Sequence, residues 1–217
     1  MNGKSILIIG RGGSGKTGLA LEYAESKAEK FLIVVPQITN PRLEEFDSYY
    51  FPITTGEELR EAYNKSEGPL VLVLAETQKG QPSIWKILRE PQFKDLVILA
   101  DELAVLVSES DDEKEFKVFI RHVRQNNQIF ISTTHRIRDD VPPVTPLNVY
   151  TIVFVGHLND EDEIGKLYKV SNVPLDKKTF ETRLKNQPPQ YNWWDKTPNK
   201  GAYFILFSQN LDFKNLP

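Results

Sequence analysis

An α/β fold with a largely parallel central sheet flanked by helices is predicted by three observations. Short apolar runs recur along the chain at Ile6 to Ile9, Phe31 to Val35, Leu70 to Leu74, Leu96 to Leu99, Ile129 to Ile131 and Tyr150 to Val155. Charged or helix-patterned stretches separate most of them, the alternation that builds a parallel sheet covered on both faces. The first run leads directly into Gly10-Arg11-Gly12-Gly13-Ser14-Gly15-Lys16-Thr17, a glycine-rich string between a strand and a helix.

That string is the first element with chemistry. Its glycines let the backbone curl round an anion with several N–H groups pointing inward, and the helix beginning near Lys16 adds the positive end of its dipole. Lys16 is placed to reach the β- and γ-phosphates of a nucleoside triphosphate, and the Thr17 hydroxyl to ligate magnesium. The helix continues through Thr17-Gly18-Leu19-Ala20-Leu21-Glu22-Tyr23-Ala24. After the second run, Tyr49-Tyr50-Phe51 reads as core or loop anchoring, and Glu57 to Tyr63 as a helix.

The fourth run ends in two acids, Leu96-Val97-Ile98-Leu99-Ala100-Asp101-Glu102, the pattern of a Walker B strand followed by a catalytic glutamate. Asp101 suits the magnesium shell. Glu102, just past the strand, suits polarising a water for in-line attack on the γ-phosphate. No Asn-Lys-x-Asp guanine-reading motif is present, which favours adenine. The acidic run Glu109 to Glu113 reads as a solvated helix start, and Asp111 to Asn126 as a helix whose Phe116, Phe119, Ile120 and Val123 face the core.

The fifth run, inside Arg124 to Arg136, ends in Thr133-Thr134-His135. A parallel sheet delivers successive strand ends to one edge, so these three are expected to face the same crevice as Glu102. Thr134 or His135 is a candidate sensor of the γ-phosphate. Beyond it, Pro142, Pro143 and Pro146, then Pro188-Pro189, break the chain as loops. The aromatic group Tyr191 and Trp193-Trp194 reads as packing of the C-terminal segment.

Composition sets the outer limits. With 217 residues, one domain is expected over 1–217, with 150–217 as its C-terminal strand-helix-helix-strand extension. No apolar stretch has the length of a signal h-region or membrane span, so a soluble, cytoplasmic protein is expected. Zero cysteines exclude disulfides and thiolate metal sites. A net charge of −3, from 27 basic and 30 acidic residues, argues against a whole-surface nucleic-acid coat.

With the glycine-rich string, Asp101-Glu102 and the Arg124 to Arg136 segment in this order, the chain resembles the FtsK/HerA superfamily of DNA-pumping ATPases. It is most similar to the compact genome-packaging ATPases of double-stranded DNA viruses. Arg124 to Arg136 can be laid without gaps on the family pattern R-x-x-G-I-x-L-I-L-A-T-Q-R, with His135 standing where the family carries glutamine. The resemblance implies a RecA-like P-loop NTPase fold of the additional-strand, catalytic-glutamate type, using ATP and Mg2+. It implies a homo-oligomeric ring around double-stranded DNA, with capsid, portal or membrane-vertex proteins as partners, in the host cytoplasm or associated with the virion.

In such a ring an arginine of one subunit would act on the nucleotide of the next. Arg121, Arg124, Arg136 and Arg138 are candidates, Arg124 foremost because it lies on the matched segment. Lys79, Lys86, Arg136 and Arg138 are candidate DNA contacts. Two other readings remain open here. One is a nucleotide-gated binding or scaffolding module, distinguished by a mispositioned Glu102. The other is a P-loop kinase-like enzyme, whose arginine-bearing lid has no clear counterpart in Val141 to Pro146. An ABC-type ATPase is disfavoured by the lack of an LSGGQ-like signature.

Overall fold

A computed structural model describes residues 3–50, 55–74, 82–107, 110–135, 150–156, 158, 160–170, 175–186, 191–192, 197–198 and 204–206. The chain runs β1 (Lys4–Ile9), α1 (Lys16–Glu25), β2 (Leu32–Val35), β3 (Asp47–Tyr50), α2 (Gly56–Lys65) and β4 (Leu70–Val73). It continues with α3 (Ile84–Ile87), β5 (Val97–Ala100), α4 (Leu103–Leu106), α5 (Ser110–His122), β6 (Ile129–Thr134) and β7 (Ile152–Val155). After these come α6 (Glu161–Val170), α7 (Lys177–Lys185), the two-residue strands β8 (Tyr191–Asn192) and β9 (Thr197–Pro198), and β10 (Phe204–Leu206).

The six apolar runs form strands because both sheet faces are covered, so most positions along them are buried, as in Ile6 to Ile9, with Leu74, Thr151 and Phe154 half-buried. The sheet order is β10-β7-β1-β6-β5-β2-β4-β3. Seven strands are parallel, and β10 closes one edge antiparallel to β7. β6 lies between β1 and β5, with Ile8 beside Thr133 and Ala100 beside Ser132. It is the additional strand that separates the glycine-rich string from the Asp101-Glu102 pair.

Side-chain alternation divides the core into two layers. On one face Ile6, Ile8, Ile33, Val71, Leu99 and Ile131 pack with Ala20, Leu21 and Ala24 of α1. On the other, Leu7, Ile9, Val34, Leu72, Ile98 and Phe130 meet α2, α3, α5, α6 and α7. Phe116, Phe119, Ile120 and Val123 are buried there as the helical spacing predicts. The Trp85 ring stands 4.9 Å from Phe116, 5.4 Å from Phe119 and 6.1 Å from Phe130, measured between ring centroids.

Several local expectations are corrected. Tyr49-Tyr50 belongs to β3, an edge strand parallel to β4, and Phe51 lies outside the described residues. α5 ends at His122, four residues before Asn126, and the turn that follows brings the Gln128 N–H to the Val123 carbonyl at 2.9 Å. Asp112 is buried, not solvated, and accepts a 2.5 Å hydrogen bond from the Ser83 hydroxyl. The three prolines after His135, Pro188-Pro189, Trp193-Trp194 and most of the tail beyond 186 lie outside the described residues.

Candidate active site

The turn that follows β1 is shaped by glycines in the left-handed region, Gly13 at φ 75° and Gly15 at φ 82°. Any other residue type is strained there. Gly10 is required for a different reason: a Cβ at that position would stand 2.7 Å from Ser14 Oγ. α1 then begins at Lys16 with no side-chain cap and no acid in its first turn. By contrast, Thr55 caps α2 and Asp176 caps α7. The α1 N-terminus is therefore left to an external anion, which its dipole and first-turn N–H groups favour.

Lys16 is buried, 5% exposed. Its Nζ donates to the Arg11 carbonyl at 2.9 Å and stands 3.1 Å from His135 Nδ1. Burial lowers its pKa to about 8, against the opposing pull of Asp101 and Glu102. An anion placed beside it would restore the charge.

At the end of β5, Asp101 is 5% exposed and faces α1 by the same alternation as Val97 and Leu99. Both of its carboxylate oxygens stand 3.0 Å from Thr17 Oγ1. Oδ1 also accepts a 2.5 Å hydrogen bond from the Thr133 hydroxyl. Burial raises the Asp101 pKa in spite of those two hydrogen bonds and Lys16, and Glu102 raises it further. A dication beside Asp101 would offset that desolvation.

Among the described residues no cluster of three or more His, Asp or Glu forms a metal cage. Magnesium does not need one: it is held by one or two carboxylates together with substrate phosphates and waters. The hard oxygens of Thr17 and Asp101, facing each other beside the glycine-rich turn, fit that mode.

Glu102 is the N-cap of α4 and sits at φ 56°, ψ 49°, a left-handed conformation costing a non-glycine residue about 1–2 kcal/mol. The turn is fixed by the Glu102 N–H, which donates to Thr133 Oγ1 at 3.0 Å. While Asp101 is buried, the Glu102 side chain enters the cleft and its Oε1 stands 3.2 Å from His135 Nε2. The cleft holds about 450 Å³ between the first turn of α1 and the loop of residues 39–42, with Asp101, Glu102 and His135 also lining it.

Lys16, Thr17, Asp101, Glu102 and His135 are thus brought together. Thr134 is not among them. It is fully buried and in register with Ile9, whose side chain belongs to the opposite layer. The hydroxyl that reaches the site is that of Thr133, and the alternation of Ile129, Ile131 and Thr133 was the sequence signal for it. Arg124 is exposed beside Gly3, where a Cβ would stand 2.7 Å from its Cα, at the opposite edge of the sheet. Arg121 on α5 and Lys86 on α3 are exposed. Lys79, Arg136 and Arg138 lie outside the described residues.

The seven parallel strands, the inserted β6 and the glycine-rich turn leading into α1 define the fold as a RecA-like P-loop NTPase fold. No family model matches the chain, and no curated protein matches its sequence. Solved structures do match. The genome-packaging NTPase B204 of Sulfolobus turreted icosahedral virus 2 in complex with AMPPCP superposes with a TM-score of 0.60 at 13% identity, covering 97% of this chain and 100% of that one. Its complex with AMP gives 0.63 at 12% identity, covering 96% and 94%. B204 of Sulfolobus turreted icosahedral virus, described as a DNA-packaging ATPase, gives 0.57 at 12% identity, covering 97% and 100%. The chain resembles these viral packaging NTPases in fold over nearly its whole length.

Proposed function

We propose that this chain is a magnesium-dependent ATPase that drives double-stranded DNA, most specifically the motor subunit that packages a viral genome. The observation that carries the ATPase reading is the approach of Thr17 to both oxygens of Asp101, with Glu102 projecting into the same cleft. The end-to-end likeness to B204, a packaging NTPase solved with triphosphate analogues, supports the packaging role.

In this reading residues 10–17 wrap the phosphates, with their N–H groups and the α1 N-terminus directed at the β- and γ-phosphates. Lys16 moves from the Arg11 carbonyl and His135 onto the β/γ oxygens. Thr17 and Asp101 would hold magnesium, which would supply charge neutralisation for the triphosphate. Glu102 orients a water and takes its proton as the water oxygen bonds to the γ-phosphorus and the bond to the β–γ bridging oxygen breaks. Inorganic phosphate and ADP are the products. His135 contacts the γ-phosphate, and Thr133 holds Asp101 and the Glu102 backbone in place.

Arg124, at the edge opposite the cleft, acts on a neighbouring subunit's nucleotide in a homo-oligomeric ring. Capsid or portal proteins are the partners at the virion, reached from the host cytoplasm. No described helix is long and apolar enough to cross a membrane.

The test is the steady-state ATPase rate with and without long duplex DNA across protein concentration, with Glu102→Gln as control. Stimulation by DNA that grows with concentration supports a ring-forming translocase. Hydrolysis indifferent to both counts against the motor reading and leaves a nucleotide-gated module or a kinase-like enzyme.

A further inference from the structure

Resting on that reading, the terminal phosphate of a bound triphosphate lies beside Thr17 and Asp101. The order β1-β6-β5-β2 carries the loop after β2 to the far side of Asp101 and Glu102 from β1. The loop of residues 39–42 therefore bounds the cleft at its γ-phosphate end and not at its nucleoside end.

The charges around this end are unbalanced. Asp101, Glu102 and Glu45 are the acidic residues lining the cleft, and Lys16 and Arg42 the basic ones. Lys16 is committed to the β/γ oxygens. Beyond Lys16 and the magnesium that Thr17 and Asp101 would hold, a γ-phosphate gaining a nucleophile next to the Glu102 carboxylate is stabilised by a further cation on its outer side. Arg124 is at the wrong edge of the sheet to supply it within one subunit.

Arg42 has a fixed backbone and a movable side chain. Its N–H donates to Asn40 Oδ1 at 3.0 Å, Pro41 precedes it in the turn Pro41–Leu43, and Leu43 is fully buried. The guanidinium, in contrast, is tied among the described residues to Glu25 near the end of α1, Nη2 to Oε1 at 2.8 Å, with the two side chains 39% and 42% exposed. Glu25 lies eight residues beyond Thr17, about 12 Å along the helix. An exposed pair of this kind adds little stability. A phosphate offers the same guanidinium a two-pronged, charge-assisted contact in a site screened from water.

We infer that Arg42 is a γ-phosphate-binding residue of this site, held by Glu25 in this structure and transferred to the terminal phosphate when a nucleoside triphosphate binds. It acts within its own subunit, so discrimination between tri- and diphosphate does not wait for assembly.

The experiment measures dissociation constants of the full chain for ATPγS and ADP with magnesium, by displacement of a fluorescent nucleotide, alongside ATP turnover. Arg42→Ala is expected to weaken ATPγS about tenfold or more and leave ADP within about twofold. Arg42→Lys, which keeps the charge and the pair with Glu25 but loses the planar fork, is expected to fall between. Glu25→Gln keeps or tightens ATPγS binding. An unchanged ATPγS-to-ADP ratio in Arg42→Ala overturns the assignment. So does a Glu25→Gln variant that loses ATPγS binding as Arg42→Ala does, because the pair would then be holding the loop. A wild type that binds ATPγS without hydrolysing ATP counts against the ATPase reading alone, and the affinity ratio still decides Arg42. A wild type that binds neither nucleotide overturns both.

Discussion

His135 Nε2 stands 3.2 Å from Glu102 Oε1, and the other nitrogen of the same ring stands 3.1 Å from Lys16 Nζ. A lysine ammonium only donates, so Nδ1 accepts and Nε2 carries the proton offered to Glu102. The imidazole joins the phosphate-binding lysine to the candidate base through one defined tautomer. Glutamine in its place would offer a donor and an acceptor on a single amide, without a ring to span the gap.

His135→Ala is expected to lower ATP turnover by about 10- to 100-fold while changing ATPγS affinity by less than about threefold. His135→Gln restores part of the rate if its amide reaches Glu102. Steady-state rates and ATPγS titrations on the three proteins check this, and an equal loss of rate and affinity would assign His135 to ground-state binding instead.

Removing the base has a sharper signature. Glu102→Gln keeps the side chain's size and is expected to hold ATP as tightly as wild type while turnover falls by about 100-fold or more. Wild-type-like hydrolysis in that variant removes Glu102 from the role.

Adjacent threonines of β6 provide an internal control. Thr133→Val deletes the hydroxyl that bridges Asp101 and the Glu102 N–H, a loss of about 1.5–3 kcal/mol for a hydrogen bond to a charged group. The expected fall in melting temperature is about 4–10 °C, with turnover reduced about tenfold or more. Thr134→Val, on the other layer, leaves turnover within about twofold of wild type. A larger loss of rate from Thr134→Val than from Thr133→Val would reverse the assignment.

Lys16 makes the site sensitive to alkaline pH. Its pKa falls from 10.5 to about 8 on folding, mainly through burial. Between those values the unfolded chain binds the proton and the native chain does not, so stability measured without nucleotide rises as pH climbs from about 8 toward 10.5. Triphosphate affinity moves the opposite way, because the neutral amine no longer attracts phosphate. Thermal melts and ATPγS titrations from pH 7 to 10 check both signs. Lys16→Met, with no proton to lose, lacks the stability rise.

Much of this was legible in the sequence for identifiable reasons. Buried parallel strands carry unbroken apolar runs, so β1, β2, β4, β5, β6 and β7 stood out. The glycine string and Asp101-Glu102 carry their chemistry in adjacent residues. What escaped depends on neighbours distant in sequence. Asp47-Ser48-Tyr49-Tyr50 is an edge strand with polar positions, and α3 is too short to express a helical period. Asp112 is buried because Ser83, 29 positions away, meets it. The choice between Thr133 and Thr134 was available from strand alternation once Ile129 and Ile131 were assigned to one layer. Arg124 could not be placed from the matched segment alone, since a strand of six residues puts its two ends at opposite edges of the sheet.

The placement of β6 between β1 and β5 also has a kinetic meaning. Lys16 meets His135 across 119 positions and Thr17 meets Asp101 across 84, so the cleft exists only once strands from both halves of the chain have docked. Contacts of that range are assembled late, after the loop-closure entropy has been met. A nucleotide therefore finds nothing to bind in the early, partly collapsed chain. It acts as a brake on unfolding and contributes little to the folding rate, and its effect on lifetime should exceed its effect on the speed of assembly.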